Sequence, residues 1–424
     1  MNSIISFLKN RRILILGFGI EGRSTLQFIE KYIPDTDVAI ADRNPLPLEN
    51  YKDKYPVFSG DDYLKDALLQ YNDLVIKSPG IKMNAENLND VEVASQTDLF
   101  LRSYADITIG VTGTKGKSTT ASLVYHLLKR AGRNVFLAGN IGLPVFDIVP
   151  LLDKNSIVAF ELSAHQLQRI HRSPHVGVFI NLFEEHLDYF GTFQAYKEAK
   201  YNIFRYMKEG DIAVTNDSIA SFIENKSINV VDYNSLDISL NKDLLPFRGE
   251  HNIKDAKAAL CACKAMGEDV DKMLPYIYTF RPLQHRQEFV GTFHGVSFYN
   301  DSISTIPQTA VAALETIPDV TFLLLGGLDR DVDYSFLVNY LVANPVKYVL
   351  YIGKAGKRIF EELVNASYKG IMLHYDTMEE AFNIIKSYAS PGDVCLLSPA
   401  AASYDRYVNF QERGTLFKNL ATKF

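Results

Sequence analysis

The sequence predicts an α/β protein of three successive domains, each built on a largely parallel sheet. Short apolar segments of strand length alternate along the chain with longer segments whose apolar residues recur at helical spacing. Two strand-like segments run into glycine-rich turns, Gly17–Gly22 and Gly113–Ser118, that open helix-like segments. Several others end in glycine, serine or acidic residues, and open parallel sheets bind ligands at such strand ends. We expect domains over residues 1–104, 105–282 and 283–424.

Composition narrows the class of protein. The 424 residues carry a formal net charge of −6, which argues against a general nucleic-acid binder. No apolar run in the sequence reaches the roughly 18 residues that a membrane-spanning helix requires. The first residues, with Ile4–Leu8 ahead of Lys9, have neither the order nor the length of a signal peptide. Three cysteines are too few for a disulfide framework, so we expect buried free thiols and a cytoplasmic protein.

The first domain opens with a turn of the form G-x-G-x-x-G, Gly17–Gly22, directly after a strand-like segment. The next strand-like segment, residues 37–41, runs into Asp42 and Arg43, and a further one, residues 73–77, runs into Ser78. Asp42 follows the glycines at about the twenty-residue distance where dinucleotide-binding folds place an acid for ribose. The motif alone leaves open a nucleotide or phosphate ligand, NAD in particular, or glycines that only let strand and helix pack closely.

The second domain begins with the sequence ITIGVTGTKGKST, residues 107–119, in which a strand-like run meets a glycine-rich turn and then a helix-like run. Two glycines let backbone N–H groups approach phosphate oxygens, and the helix N-terminus adds positive potential. Lys117 would supply a mobile charge for the terminal phosphates, and Ser118 a hydroxyl for Mg²⁺. The usual spacing would place a glycine at Val111, so the loop is a shortened variant. The sequence predicts ATP binding here, and an ordinary surface turn is the alternative.

Two later strand-like segments of the second domain, residues 157–162 and 175–182, lead into acidic residues and histidine. Glu161 lies at the end of the first, and the second runs into a segment that contains His186. Because the carboxyl ends of parallel strands meet at one edge of a sheet, we expect both side chains near the phosphate loop. Glu161 would then bind Mg²⁺, and His186 a second metal ion or a phosphate. Taken singly, each is also compatible with an ordinary strand-end or loop residue.

The third domain repeats the alternation of strands and helices. Its strand-like segments span residues 296–299, 320–325, 347–352 and 394–397, with helix-like segments between them, such as 309–316 and 355–364. These strands run into the sequences NDS at 300–302, GG at 326–327, GK at 353–354 and SP at 398–399. The pattern predicts a third α/β unit with polar groups at its strand ends.

With these motifs in order, the chain resembles the Mur ligases of peptidoglycan synthesis. The resemblance runs nearly from end to end, and the number, order and spacing of the motifs carry it. The motifs are GTKGKST at 113–119, GNIGLP at 139–144, ELS at 161–163, residues 181–188, YKEAK at 196–200, HN at 251–252, HR at 285–286, NDS at 300–302, SPAAAS at 398–403 and NFQERG at 409–414.

The resemblance implies a Rossmann-like domain for the UDP part of an acceptor, a central ATP-binding domain of the P-loop ATPase type with a mixed or parallel sheet, and a Rossmann-like domain for an amino acid. It implies ATP-dependent amide formation through an acyl phosphate, as in members that join D-glutamate to UDP-N-acetylmuramoyl-L-alanine. It further implies ATP, two Mg²⁺ ions and a carbamate on Lys200, an anion able to hold the second ion. We expect small-molecule substrates and a monomer.

The implied site residues are carried over motif by motif. The ATP site would comprise Gly113, Thr114, Lys115, Gly116, Lys117, Ser118, Thr119, Asp255, Arg286 and Asp301, with Lys117, His186 and Lys200 as catalytic residues. The metal ligands would be Ser118, Glu161, His186 and Lys200. The UDP substrate would contact Phe18, Gly19, Asp42, Arg43, Ser78, Asn140 and Ser163. The amino acid would contact Thr305, Arg330, Ser403 and Phe410.

Three positions depart from the family pattern. Ile303 stands where a lysine is usual, Arg330 replaces a lysine that meets the glutamate carboxylate, and Asp255 replaces an asparagine near adenine. Because two of these lie in the amino-acid pocket, L-glutamate or another acidic amino acid is an alternative substrate. A ligase of the folylpolyglutamate synthetase type is a further alternative, although a whole domain preceding the phosphate loop counts against it. An NAD-dependent oxidoreductase would leave the phosphate loop unexplained.

Overall fold

The computed structural model describes residues 1–71, 73–83, 91–225, 227–241, 244–247, 249–281, 284–330 and 332–424. Its helices are α1 Asn2–Leu8, α2 Ile20–Tyr32, α3 Tyr63–Gln70, α4 Gln96–Tyr104, α5 Lys117–Arg130, α6 Val145–Ile148, α7 Ala164–Leu167, α8 Leu187–Phe190, α9 Phe193–Arg205, α10 Asp217–Ala220, α11 Glu250–Ala265, α12 Val270–Ile277, α13 Pro307–Thr316, α14 Ser335–Ala343, α15 Gly353–Asn365, α16 Met378–Tyr388 and α17 Phe410–Ala421. Its strands are β1 Ile13–Leu16, β2 Val38–Asp42, β3 Val57–Ser59, β4 Leu74–Lys77, β5 Glu92–Ala94, β6 Thr108–Thr112, β7 Asn134–Gly139, β8 Ser156–Glu161, β9 Val176–Phe179, β10 Ile212–Thr215, β11 Asn229–Asp232, β12 Glu288–Phe293, β13 Val296–Asn300, β14 Val320–Gly326, β15 Tyr348–Ile352, β16 Ile371–His374 and β17 Val394–Leu397.

The first sheet has the strand order β3-β2-β1-β4-β5, and its pairings are parallel. All four residues of β1 are buried, as expected of a strand whose two faces are both covered by other elements. Parallel pairing sets the strand ends level, so that Leu16 of β1 is in register with Lys77 of β4 and Ala41 of β2. The turn at Gly17 therefore shares one sheet edge with Asp42 and Ser78, as the sequence predicts.

The second sheet has the order β11-β10-β9-β6-β8-β7, and the described pairings are again parallel. β6 lies between β8 and β9, and Val111 is in register with Glu161 on one side and Val178 on the other. The phosphate loop therefore leaves the sheet between the two strands that precede the predicted metal ligands. β9 ends at Phe179 rather than at Leu182, so the last part of that apolar run belongs to a loop.

The third sheet has the order β12-β13-β17-β14-β15-β16. β12 pairs antiparallel with β13, and a bulge between Phe289 and Gly291 interrupts its register. The other described pairs are parallel. Together, the three sheets confirm the predicted fold class.

The described chain divides into two compact units, residues 1–246 with 250–280, and residues 247–249 with 281–424. The first unit holds both N-terminal sheets around a common apolar core, in which Phe28 of α2 packs on Phe146 of α6 at 4.7 Å between ring centroids. Phe100 of α4 meets Phe160 of β8 edge-on. The predicted boundary at 104/105 lies between α4 and β6 inside this unit. The predicted boundary at 282/283 lies outside the described residues.

The composition led us to expect free cysteines and no membrane-spanning helix. Cys261, Cys263 and Cys395 are buried free thiols, as their number and surroundings in the sequence suggest. Within the residues that the structure covers, no helix combines the length and apolar character needed to cross a bilayer.

Candidate active site

The phosphate loop joins β6 to α5 and is shaped by two glycines. Gly116 has a φ of +80°, in the left-handed region that glycine adopts without strain, and it immediately precedes Lys117 at the start of α5. A Cβ atom on Gly116 would come closer than 3.0 Å to the carboxylate of Asp255 on α11. Ser118 and Thr119 are both buried in the first turn of α5. The loop thus leads directly into the start of α5, an arrangement compatible with the predicted binding of an anion.

A neighbouring loop after β9 fixes the shape of the phosphate loop. The backbone N–H of Thr114 donates to the carbonyl oxygen of Asn181 at 3.0 Å. The Asn181 side chain bonds both backbone groups of Lys115, accepting from N at 2.9 Å and donating to O at 3.1 Å. Phe183 N donates to Thr114 Oγ1 at 2.9 Å. These bonds explain why the apolar run leaves the sheet at Phe179, because the following residues pair with the loop instead.

The two lysines of the loop, Lys115 and Lys117, have different hydrogen-bond partners. Lys117 Nζ donates to the Thr114 carbonyl oxygen at 2.8 Å, folding its side chain back over the loop. Lys115 Nζ pairs with Glu185 Oε1 at 2.8 Å. Burial alone would raise the pKa of Glu185, but the attraction and hydrogen bond of Lys115, with smaller contributions from His186 and Lys117, hold it below its ordinary value. Glu185 is a site residue that sequence reasoning did not single out.

Glu161 ends β8 as a fully buried carboxylate beside the phosphate loop. Its Oε1 atom accepts from Asn140 Nδ2 at 3.0 Å. Its Oε2 atom is buried and has no hydrogen-bond partner among the described residues. A buried carboxylate oxygen without a donor is costly unless a cation or another donor meets it. The residues therefore fit a divalent cation between Glu161 and the loop, and Asn140 fixes the carboxylate that would hold it.

Lys200 lies on α9, and its side chain contacts the phosphate loop. Its Nζ atom donates to the Gly113 carbonyl oxygen at 2.7 Å and to Thr112 Oγ1 at 3.4 Å, and the residue is only 1% exposed. Burial first, and then the charge of Lys117, hold the pKa of Lys200 well below its ordinary value. The structure thus places the lysine named from the family motif directly against the loop.

His186 lies in the loop that precedes α8, with a φ of +58° in the left-handed region. Its ring packs near those of His165 and Tyr196, at 5.1 Å and 6.0 Å between centroids, and its Nε2 atom is 3.8 Å from Glu185 Oε2. No three His, Cys, Asp or Glu side chains of the described chain lie close enough together to hold a metal ion by themselves. A cation at this loop would therefore rest on hydroxyl and phosphate oxygens as well, which suits Mg²⁺.

Five of the seven predicted UDP-site residues lie at one edge of the first sheet: Phe18, Gly19, Asp42, Arg43 and Ser78. Asp42 accepts from Phe18 N at 2.7 Å and Asn44 N at 2.9 Å, while Arg43 pairs with Asp61 at the surface. The Phe18 side chain is fully buried, so only its backbone faces the edge.

Ser78 and Gly19 complete this edge. Ser78 Oγ donates to the Gly17 carbonyl oxygen at 2.9 Å. Gly19 caps α2, and a Cβ atom there would meet no atom within 4 Å, which leaves open space beside the helix start. The two remaining predicted contacts, Asn140 and Ser163, follow β7 and β8 in the second sheet of the same unit.

The C-terminal unit contains the remaining predicted residues. Asp301 is 2% exposed and accepts from Ser398 Oγ at 2.7 Å, from Gln287 N at 3.1 Å and from Ser304. Burial raises the pKa of Asp301 to about 6, although these bonds and the charge of Arg286 oppose the rise. Asp301 therefore links the residues that follow β13 and β17 by hydrogen bonds. The Nε atom of Arg286 is buried and has no hydrogen-bond partner among the described residues.

Thr305, Ser403, Phe410 and Arg330 lie on loops and a helix start of the same unit. Thr305 is half-buried, Ser403 is buried, and Arg330 is exposed with its guanidinium carbon 5.5 Å from the Tyr404 ring centroid. The Phe410 carbonyl oxygen accepts from Ser302 Oγ at 2.8 Å.

Sequence reasoning gave no role to Arg413 within the NFQERG motif. Arg413 is 4% exposed and donates to Ser302 Oγ at 3.0 Å and to the carbonyl oxygens of Ser302 at 2.9 Å and Ala401 at 3.2 Å. It ties together two of the loops that carry the predicted amino-acid contacts.

A phosphate loop at a helix start, with a buried carboxylate and a buried lysine at its edge, defines a nucleoside-triphosphate-using enzyme of the P-loop class. Residues 111–244 match the Mur ligase middle domain. The UDP-N-acetylmuramoylalanine–D-glutamate ligase of Symbiobacterium thermophilum is 33% identical over 86% of this chain and 87% of its own length. The ligase of the same name from Acetivibrio thermocellus is 32% identical over 99% of this chain and 98% of its own. The chain belongs to the Mur ligase family and is an ATP-dependent ligase.

Solved structures share this fold at low identity. The MurF ligase of Thermotoga maritima in complex with ADP has a TM-score of 0.59 at 19% identity, over 98% of this chain and 96% of that one. The folylpolyglutamate synthase of Mycobacterium tuberculosis, complexed with ADP and AMPPCP, has a TM-score of 0.57 at 16% identity, over 76% of this chain and 94% of that one. The folylpolyglutamate synthase therefore shares the fold at 16% identity, whereas the two ligases named above align with most of this chain at 33% and 32% identity.

Proposed function

We propose that the enzyme joins D-glutamate to UDP-N-acetylmuramoyl-L-alanine and couples this to the cleavage of ATP to ADP and phosphate through an acyl phosphate. The observation that carries the chemistry is the buried Oε2 atom of Glu161, which has no hydrogen-bond partner among the described residues; Glu161 is in register with Val111, just before the phosphate loop. Relatives at 33% and 32% identity that carry this activity in their name support the substrates. The same reaction with L-glutamate or another acidic amino acid is the alternative, because Ile303 and Arg330 depart from the family pattern.

The first step makes the acceptor carboxylate reactive. A carboxylate oxygen attacks the γ-phosphorus of ATP, a P–O bond forms, and the bridging oxygen leaves with ADP. The start of α5 and Lys117 would face the charge that spreads over the transferred phosphoryl group, and the rigid loop keeps the oxygens in line. Bound Mg²⁺, held by Ser118, Glu161 and the ATP phosphates, would supply further neutralising charge.

The second step forms the amide. The amine of the amino acid attacks the acyl carbon, the C–O bond to phosphate breaks, and the nitrogen loses a proton. Thr305, Ser403 and Phe410 would orient the amino acid, and Arg330 would clamp a carboxylate with its planar fork of donors.

Lys200 and His186 would hold a second Mg²⁺ ion once Lys200 carries a carbamate. A carbamate forms when an unprotonated amine attacks CO₂ and releases a proton, and the lowered pKa of the buried Lys200 amine favours that unprotonated form. The carbamate would turn a buried amine at the phosphate loop into an anion. We further propose a cytoplasmic monomer that acts on small molecules and has no nucleic-acid partner.

Isotope transfer tests the proposed function directly. UDP-N-acetylmuramoyl-L-alanine labelled with ¹⁸O in its carboxylate is incubated with ATP, Mg²⁺ and D-glutamate, and the released phosphate is analysed by mass spectrometry. An acyl phosphate leaves one labelled oxygen in the phosphate that is released. Turnover that leaves the phosphate unlabelled would rule out this route. The Lys117→Ala variant serves as the blank, because it lacks the charge that meets the γ-phosphate.

A further inference from the structure

Glu21 lies within the G-x-G-x-x-G turn. The function of that motif depends on its glycines and does not explain why a glutamate occupies this position. It occupies the first turn of α2, and its Oε1 atom accepts a hydrogen bond from Gln166 Nε2 at 3.1 Å. Gln166 is 4% exposed and belongs to α7, directly after β8 of the second sheet. The bond therefore links the ligand edge of the first sheet to the strand that ends at Glu161, within one compact unit.

The other end of the Gln166 amide holds Ser163. Gln166 Oε1 accepts from the backbone N–H of Ser163 at 3.0 Å and from Ser163 Oγ at 3.1 Å. The backbone N–H of Gln166 returns a bond to Ser163 Oγ at 3.3 Å. This is a capping box, which fixes the start of α7 and the rotamer of the serine together.

The charge of Glu21 and the backbone N–H of Ser163 together decide which way the amide of Gln166 faces. An ionised carboxylate only accepts hydrogen bonds, whereas an amide has a donor end and an acceptor end. Glu21 therefore keeps the NH₂ group towards itself and the oxygen towards Ser163. The reversed amide would place two oxygens face to face at Glu21 and two donors face to face at Ser163.

Burial raises the pKa of Glu21 above its ordinary value, and two neighbouring groups oppose that rise: the hydrogen bond from Gln166 and the charge of Lys77 both favour the carboxylate. Lys77 ends β4, is 5% exposed, and donates to the carbonyl oxygens of Ser78 at 2.9 Å and Pro79 at 3.0 Å. The backbone at Glu21 is anchored as well, because its carbonyl oxygen accepts from Gln96 Nε2 at 2.9 Å.

We propose that Glu21 is a positioning residue for the UDP-linked acceptor, acting through Gln166 on the hydroxyl of Ser163. The inference rests on the proposed function, in which Ser163 contacts the acceptor near its reacting carboxylate. It gives the glycine-rich turn a second task, because the turn then orients a residue of the ATP-binding sheet as well as lining the UDP edge.

A charge swap tests the inference. Glu21→Gln removes one of the two groups that orient the amide of Gln166, and Gln166→Glu sets two carboxylates against each other. The double variant restores one donor–acceptor pair, with the carboxylate now on the Ser163 side and still able to accept both of its bonds. Each single variant should raise KM for UDP-N-acetylmuramoyl-L-alanine about 10-fold, the range of one hydrogen bond to a charged group. KM for ATP and for glutamate should stay at the wild-type values, and the double variant should recover the acceptor KM.

Controls separate this inference from a structural effect and from the proposed function. Glu30→Gln removes a carboxylate from the same helix, where it bonds Lys54 and Tyr55, and should leave the acceptor KM unchanged. An unchanged acceptor KM in Glu21→Gln, or a double variant no better than the single ones, would overturn the inference. If Glu21→Gln does not fold, the acceptor KM of the double variant decides: a wild-type value supports the inference and a raised value overturns it. Wild-type enzyme without acceptor-dependent phosphate release would instead refute the proposed function.

Discussion

The Nζ atom of Lys200 lies 2.7 Å from the carbonyl oxygen of Gly113. A helix residue far along the chain is thus bonded to the first glycine of the phosphate loop. Because the amine is buried and its pKa is lowered, the lysine is poorly suited to act as a permanent cation there. We propose that the working enzyme carries Lys200 as an anionic carbamate.

Replacement of Lys200 tests that interpretation. We expect Lys200→Ala to lose almost all ligation, with partial rescue by acetate or formate, which would supply an anion in the vacated space. Lys197→Ala removes a lysine from the same helix whose amine lies over the Phe222 ring, and should keep wild-type turnover. Near-normal phosphate release from Lys200→Ala would contradict a role for this side chain.

Gly116 and Gly132 form a matched pair of glycines, since both have a φ of +80°. An alanine in this left-handed conformation at either position would cost about 1–2 kcal/mol of backbone strain. At Gly116 the added Cβ would also meet the Asp255 carboxylate, whereas at Gly132 it would meet no atom within 4 Å. Gly116→Ala should lower kcat/KM for ATP on the order of 100-fold, because the loop must shift. Gly132→Ala should lower stability only, and equal losses of ATP affinity in both variants would argue against the loop geometry.

Arg330 is exposed near Tyr404 and is expected to meet a carboxylate of the amino acid. Arg330→Ala should raise KM for glutamate about 10- to 100-fold, the range of a hydrogen bond between charged groups, with KM for ATP unchanged. Arg330→Lys keeps the charge but loses the planar fork, so its glutamate KM should fall between those of the other two proteins. A parallel rise in both KM values would exclude a specific clamp. Steady-state phosphate release with one substrate varied at a time gives all these constants.

Arg172 pairs with one buried and one exposed aspartate, so replacing each in turn tests how much burial adds to the contribution of an ion pair to stability. Asp211 is buried and also bonds His175, whereas the Asp106 side chain is 91% exposed. Asp211→Ala should cost about 3–5 kcal/mol of unfolding free energy, because it removes the buried carboxylate that pairs with the buried Arg172 and leaves it only the exposed Asp106. Asp106→Ala should leave stability nearly unchanged. Urea denaturation followed by circular dichroism compares the two, and equal losses would contradict the assigned burial.

The same ion pair predicts the direction of a pH effect. Burial alone would raise the pKa of Asp211, but the hydrogen bonds from Arg172, the Lys208 backbone and His175 hold it below its ordinary value. A carboxylate whose folded pKa is lowered contributes stability above its unfolded pKa, near 3.9, and loses that contribution as pH falls through the lower folded value. Wild type should therefore lose more unfolding free energy than Asp211→Asn as the pH falls below about 4. Parallel pH curves for the two proteins would contradict this assignment.

The fold could be predicted from the sequence where apolar periodicity was clear, as for β6 and α5 around the phosphate loop. β12 was not predicted, because it is an antiparallel edge strand whose alternation is broken by a bulge at Gly291. The length of β9 was overestimated, because an apolar run does not show where a strand stops pairing with the sheet. Residues 181–183 pair with the phosphate loop instead.

The candidate site, like the fold, could be predicted only where the sequence contains a recognisable pattern. Lys117, Glu161 and Lys200 could be named because each lies in a motif or at a strand end, and the structure brings them to one loop. The bonds of Lys115 to Glu185 and of Glu21 to Gln166 could not be predicted. They join residues far apart in sequence through single side-chain contacts, which leave no periodic or spacing signal.

Phosphate release with ATP, Mg²⁺ and UDP-N-acetylmuramoyl-L-alanine, measured with D-glutamate and separately with L-glutamate, tests the central claim most directly. We predict release that requires the UDP-linked acceptor and proceeds with D-glutamate, while L-glutamate stays near the level seen without an amino acid. Faster release with L-glutamate, or release that does not depend on the acceptor, would contradict the account.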